Sequence, residues 1–317
     1  MKKNLLLQLK MVVCACIIII PIITCSQTND YSILKKEYNL AGNRLQETQY
    51  FFMESRLITY QLDGTRIGSD IFRLHLKYIP ASISGEKDDQ YTCVRFTVQL
   101  EDSLEVALPA LENWTYVFKE GIDENGQVFG IDHGKFMNLV DERGKSVPTY
   151  HVYNAFIDFH GFCDVLAEPT SAGGGIQDLN TIGEKIVHAA AFTEPPVNLG
   201  NDILEGSFFK NGQVTLEFKG LSVVNGRSCA LLEYDSGESS FKMIMKPIPN
   251  VQIETVGSSH YMGDIYKDFE TNWVQKATLK EFVVSETALP MPPGKIDAVN
   301  ERDILIRHVS QEEFLTN

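Results

Sequence analysis

His160, Cys163 and Asp164 fall together in the segment Phe159-His-Gly-Phe-Cys-Asp164. On a helix, residues three and four apart share a face, so His160 can approach both Cys163 and Asp164. A thiolate activated by an imidazolium is the chemistry of cysteine hydrolases. Those enzymes take nucleophile and base from separate elements, whereas Cys163 lies on the apolar stripe of its own helix. That pattern favours a buried structural cysteine. A second cluster, Ser258-Ser-His-Tyr-Met-Gly-Asp264, holds serine, histidine and aspartate within seven residues. Adjacent residues cannot all converge on one point as a serine triad must, and the stretch has no Gly-x-Ser-x-Gly elbow. The expectation is a strand–turn–strand with Gly263 at the turn, and His260 is its best polar candidate.

Beyond residue 25 there is no His-x-x-x-His, His-Glu-x-x-His or Cys-x-x-Cys, so the spacing offers no metal site. Asp123-Glu-Asn-Gly126 begins like a calcium loop, but Val128 and Gly134 stand where the loop needs glycine and glutamate. A hairpin turn is expected there instead, since Asn-Gly tolerates positive φ. Gly173-Gly-Gly175 lacks the ending of a phosphate loop and reads as a flexible joint. Met243, Met245, Met262 and Met291 read as core and edge residues. No catalytic, ligand-binding or cofactor residue is assigned from these patterns.

The elements that would hold these residues are mostly strands. Phe72, Leu74, Leu76 and Tyr78 alternate with Arg73, His75 and Lys77, and Val94, Phe96, Val98 and Leu100 repeat the pattern. Trp114–Lys119 and Gln127–Ile131 flank the Asp123–Gly126 turn. Further strands are predicted at Val214–Leu221, Ser228–Tyr234, Phe241–Lys246, Val251–Val256, Ile265–Asp268 and Trp273–Val284. Between these runs, Val152, Phe156, Phe159, Cys163 and Leu166 follow helical spacing behind Pro148. A second helix is predicted over Asp178–Phe192, with Leu179, Ile182, Ile186 and Ala190 on one side and Glu194-Pro-Pro196 ending it. A weaker helical pattern covers Ile33–Glu47. The reading is an α+β fold of mostly antiparallel meander with a central helical insert.

Phe72–Lys77 resembles Val214–Lys219, Tyr91–Phe96 resembles Arg227–Leu232, and Val117–Lys119 echoes Ile265–Lys267, which suggests two related sheet halves. The expected divisions are 33–145 and 195–317 for the β-rich halves and 146–194 for the insert.

Composition narrows the function classes. The 317 residues are 44% hydrophobic and 22% charged, ordinary for a globular chain, and the net charge is −14. Such a surface gives sequence-tolerant nucleic-acid binding no electrostatic support. The N-terminus carries Lys2, Lys3 and Lys10 ahead of an uncharged run from Met11 to Thr24, short of the ~20 residues that span a bilayer. Ile22-Ile-Thr-Cys25 resembles the lipobox of bacterial lipoproteins, with Ile22 in place of the usual Leu and Thr24 in place of Gly or Ala. The resemblance implies a signal peptide over 1–24 and palmitate-type acyl chains on Cys25. It also implies a tether over 25–32 and a place on the periplasmic face of the cell envelope or in the outer membrane. Cys93, Cys163 and Cys229 remain, an odd number, so the body is no disulfide scaffold.

The element order loosely resembles lipoprotein and lipoprotein-carrier folds, where helices close a curved sheet over an apolar cavity. Pro195–Asn201 followed by strands is similar to uncharacterised bacterial envelope lipoproteins. The expectation is a non-enzymatic, lipid-anchored envelope protein that binds an apolar ligand or another envelope component. Val152, Phe156, Phe159 and the Leu179–Ile186 face would enclose the pocket. The alternatives are an extracytoplasmic hydrolase using His260 or the His160–Cys163 pair, and a structural protein assembling through sheet edges.

Overall fold

The computed structural model describes residues 31–316 apart from 102, 125, 196, 198–202 and 249–250. The expected signal peptide over 1–24, Cys25, the run 26–30 and most of Pro195–Asn201 therefore lie outside the described residues. Leu34–Asn317 forms one compact unit.

Thirteen strands among the described residues join in a single antiparallel sheet. They are β1 (Gln49–Tyr60), β2 (Arg66–Ile79), β3 (Gln90–Leu100), β4 (Val106–Ala107), β5 (Trp114–Val117), β6 (Lys185–Val187), β7 (Phe208–Lys210), β8 (Thr215–Val224), β9 (Arg227–Asp235), β10 (Ser239–Ile248), β11 (Val251–Asp268), β12 (Val274–Ala288) and β13 (Lys295–Val309). The order is β4-β3-β2-β1-β13-β12-β11-β9-β8-β6; β5 pairs with β3, β10 with β11, and β7 with β10. The fold is β-rich α+β. Strands from both parts of the sequence form one sheet, because β1 pairs with β13 along its length.

Strand alternation explains which face is buried. One row crosses eight strands in register: Phe96, Leu74, Met53, Ile306, Ala277, Ile265, Leu232 and Phe218. All eight are buried. This inner face packs on α2 (Thr149–His160), which follows the one-turn helix α1 (Ala81–Ser84) in the chain. Phe156 stacks on Phe96, Phe159 meets Phe51 edge-on, and Phe162 stacks on Tyr234. On the outer face the C-terminal helix α3 (Gln311–Thr316) lays Phe314 against Phe52 and Tyr50. Two glycines on β11 admit aromatic rings from the neighbouring strands. A Cβ on Gly257 would meet the Phe241 ring, and one on Gly263 would meet the Tyr234 hydroxyl.

The stripe from Val152 to Leu166 is helical as expected, with one turn widened to a π-helix over Gly161–Val165. Other sequence expectations are corrected. Ile33–Glu47 holds only a 3₁₀ turn over Tyr31–Lys35, because this stretch spends backbone donors on other elements: Tyr38 N–H on Asn180 and Leu45 N–H on Thr271. Asp178–Phe192 is not a helix. Gly183 turns the chain at φ +94°, and Lys185–Val187 then pairs with β8. Gly173–Gly175 is no loose joint, since the Asp178 carboxylate accepts the Gly174 N–H at 2.6 Å and the Thr170 hydroxyl donates to the Gly173 carbonyl at 2.8 Å. The Asp123 turn is flanked by a single bridge, Ile122 to Val128, rather than by two strands, since β5 pairs with β3. Val251–Asp268 is one strand with Gly263 inside it.

The suggested repeat has a counterpart in pairing order, β2-β3-β5 beside β8-β9-β11. The registers differ: Leu76 faces Cys93, whereas Phe218 faces Leu232 and not Cys229.

The interior expected to enclose an apolar pocket is filled. A void of ligand size would leave accessible surface on its lining, and Val152, Phe156 and Phe159 have 0% exposure. Leu179 is buried in the same core, with Ile182 and Ile186 packed against it.

Candidate functional site

The π turn places His160 and Asp164 face to face. Its extra residue per turn lets Leu166 N–H bond to the Gly161 carbonyl and leaves the Cys163 carbonyl to accept from the Arg44 guanidinium. His160 Nδ1 lies 2.7 Å from Asp164 Oδ2, and its Nε2 lies 2.7 Å from the Tyr116 hydroxyl. The Tyr91 hydroxyl donates to Asp164 at 3.2 Å. Arg44 pairs with Asp164, and its Nε donates to Glu168 Oε1 at 2.9 Å. Its guanidinium lies 4.2 Å from the centre of the Trp273 ring. Lys267 completes the chain, donating to the Ala167 carbonyl at 2.6 Å and to Glu168 at 3.0 Å.

Burial alone would raise the Asp164 carboxyl, but the Arg44 guanidinium and His160 outweigh it and hold the group below the usual carboxylate range. Burial pushes the Tyr91 and Tyr116 phenols up and lowers the Lys267 ammonium. The His160 ring is fully enclosed, with Tyr91, Phe118 and Phe129 around it. Solvent touches the cluster only at its Arg44 and Glu168 end, where 13% and 22% of the side chains are exposed. Its chemistry is that of a clamp, tying the chain around Arg44 and the end of α2 to β3, β5 and β11.

Cys163 is not the partner of His160. Burial, and then the Asp164 charge, push its thiol well above the ordinary value. Burial raises Cys93 likewise, and burial with the Asp268 charge pushes Cys229 up to about 11. All three cysteines are free and buried. Since the thiolate is the reactive form, the folded Ser26–Asn317 chain is expected to resist a thiol reagent at pH 8. Unfolding in guanidinium should release three reactive thiols. Rapid labelling of Cys163 in the native protein would contradict this assignment.

A second polar cluster fastens α2 to the sheet. Arg302 of β13 pairs with Asp158 and donates to Glu281 at 2.6 Å, while the Ser259 hydroxyl donates to Glu281 at 2.6 Å. Burial raises the Asp158 carboxyl to about 6; Arg302 opposes the rise and Glu281 adds to it.

The Ser258–Asp264 stretch does not assemble a triad. His260 Nε2 sits 2.9 Å from Asp235 Oδ1 on β9, and both side chains are partly exposed. Among the described residues no serine hydroxyl is hydrogen-bonded to His260. Ser259 points to the opposite face, and Asp264 lies four residues along the same strand, roughly 13 Å away. Among the described residues neither His160 nor His260 has a serine or cysteine side chain at hydrogen-bond distance.

An accessible apolar strip lies on the outer face, near the β1–β2 and β12–β13 turns. Register aligns Ser258, Val284, Val299 and Tyr60 across β11, β12, β13 and β1, with His260 and Phe282 in the next row. Leu62, Val256, Phe282 and Val284 are exposed, Leu62 at 63% and Val284 at 51%. Leu62, Val256, Ser258 and Val284 line an open depression of about 470 Å³, with Glu286, Lys295 and Asp297 at its border.

No protein-family model matches this chain, and no curated protein matches it in sequence.

Proposed function

We propose that this chain is a lipid-anchored, non-enzymatic binding module of the bacterial cell envelope. It would be held by acyl chains on Cys25 and would engage another envelope component through the Leu62–Val256–Val284 strip. The observation that carries the binding half is that strip: apolar side chains left uncovered on the outer face, while the same face is covered by Phe314 at its other end. An envelope component is favoured over an internal apolar ligand because the space under α2 is filled.

The strands run between two rims. The upper rim holds the β1–β2 and β12–β13 turns, and the lower rim holds the β8–β9 and β11–β12 turns. Tyr38 packs on Phe218 and on Phe269 in the β11–β12 turn, so the N-terminal chain joins the body toward the lower rim.

The anchoring half is tested by mass spectrometry of the N-terminal peptide of protein purified from its own envelope. A peptide beginning at Cys25 and carrying diacylglyceryl and acyl groups is expected, and Cys25→Ala should abolish it. A peptide beginning at Met1, or one starting near Cys25 without lipid, would overturn this half of the reading.

A further inference from the structure

We propose that the open edge of β8 pairs with the same edge of a second copy of this chain, forming a two-fold dimer centred on Ser222. The edge opens partway along the strand. Up to Phe218 that side is covered: Lys185–Val187 pairs with Thr215–Glu217, and the Phe218 N–H donates to the Glu184 carbonyl. Lys219 is then the extra residue of a bulge, since Phe218 faces Leu232 and Gly220 faces Leu231. The hairpin closes through Asn225-Gly226, both at positive φ (51° and 77°). Val224 and Arg227 are therefore the hydrogen-bonded pair beside a two-residue turn. Counting back by twos, Ser222 and Gly220 also bond to β9, and Leu221 and Val223 aim their N–H and C=O groups at the open side. Among the described residues nothing bonds to those groups. The two side chains are 42% and 69% exposed.

An edge of this kind takes an extended strand, because another backbone supplies donors and acceptors at the same spacing. Self-complementarity selects a second copy as that strand. Antiparallel pairing about Ser222 sets Leu221 opposite Val223 of the second copy, and Val223 opposite its Leu221. Each free N–H then meets a free C=O, and the cross-strand neighbours are apolar.

Charge permits the contact. The net charge is −14, yet Gly220–Gly226 contains no charged residue. Lys219 and Arg227 at its ends are satisfied within their own copy, Lys219 by Glu217 and Glu233 and Arg227 by Asp268. In this register Lys219 lies opposite Asn225 of the second copy, so like charges do not meet. The bulge ends the pairing on one side and the turn ends it on the other. Both copies use the same patch, which gives a closed pair and no fibre. The contact is far smaller than the ~1,200 Å² of a stable complex, so the dimer is weak and reversible. Salt should tighten it, by screening the repulsion between two acidic bodies.

Sedimentation equilibrium of the Ser26–Asn317 chain, which keeps every described residue, tests the proposal. The expected result is a monomer–dimer equilibrium that shifts toward dimer with added salt. Val223→Lys should abolish the dimer and leave the far-UV circular dichroism unchanged. Cysteine pairs test the register. Leu221 and Val223 of the second copy form a hydrogen-bonded pair with Cα atoms about 5.5 Å apart, within disulfide reach. Under mild oxidation, Leu221→Cys and Val223→Cys chains should link when mixed and not when incubated separately; Cys93, Cys163 and Cys229 are buried. Monomer at every concentration would overturn the proposal, as would equal linking in mixed and separate samples. A dimer that survives Val223→Lys but is lost with Val256→Glu would also overturn it, placing self-association on the outer strip instead.

Discussion

Arg44→Met is expected to lower the free energy of unfolding by about 3–5 kcal/mol, the range for removing one member of a buried ion pair. The guanidinium bonds Asp164, Glu168 and the Cys163 carbonyl while lying on the Trp273 ring. Methionine keeps an apolar stem against Trp273 but leaves Asp164, with 3% of its side chain exposed, held only by His160 and Tyr91. The cost is therefore that of an uncompensated buried carboxylate more than that of lost contacts. Arg44→Lys should fall between, because an ammonium retains the charge but not the fork that reaches three acceptors. Tyr116→Phe removes the hydroxyl partner of His160 Nε2 and should cost about 1–3 kcal/mol. Urea midpoints of the three variants check this order. An Arg44→Met midpoint equal to wild type would show that the cluster does not hold the fold.

The second large effect is a loss of stability on acidification from about pH 6.5 to about pH 4. Of seven histidines, five are held below their ordinary value, with burial as the leading cause: His75, His133, His151, His188 and His308. His151, with Arg302 adding to burial, and His308, with Arg227 adding, are brought down to about 4.

A histidine with a depressed pKa in the folded state binds its proton more readily when unfolded. Its contribution is thus complete above the unfolded value near 6.5 and is lost as pH falls through the folded value. Each of the two deepest shifts is worth on the order of 2–3 kcal/mol. Asp158 works the other way. Raised to about 6, it favours the folded state as pH falls from 6 toward 4, and so offsets part of the loss. Urea unfolding at pH 7.5 and pH 4.5 should therefore show a much lower midpoint at the acid end. His308→Gln should flatten the dependence and Asp158→Asn should steepen it, whatever either does to stability at pH 7.5. A flat profile in the wild-type chain would contradict the buried-histidine account.

What the sequence makes legible follows from periodicity. The Val152–Leu166 stripe is regular and uninterrupted, and it is helical. The same spacing at Leu179, Ile182, Ile186 and Ala190 misleads, because Gly183 takes a left-handed turn and pairing with β8 decides the rest. β13 is hidden by its own chemistry. Asn300-Glu-Arg-Asp303 breaks the apolar alternation, because the inward position there is Arg302, which is satisfied by Asp158 on α2. β11 reads as two strands because Gly263 looks like a turn, whereas its missing Cβ makes room for the Thr278 carbonyl and the Tyr234 hydroxyl that donates to it.

Of the buried cluster, only His160 and Asp164 are visible, being four residues apart on one helix. Arg44, Tyr91, Tyr116 and Lys267 arrive from distant strands and loops, and no local spacing points to them. The Leu62–Val256–Val284 strip is equally silent in one dimension, since it is assembled by register across separate strands.

The central claim is that this strip is the binding surface, and cross-linking within the intact envelope tests it most directly. With a photoreactive benzoylphenylalanine replacing Val284, irradiation is expected to give one discrete cross-linked species, lost when Val256→Glu is added. No discrete product, or one indifferent to Val256→Glu, would contradict the claim.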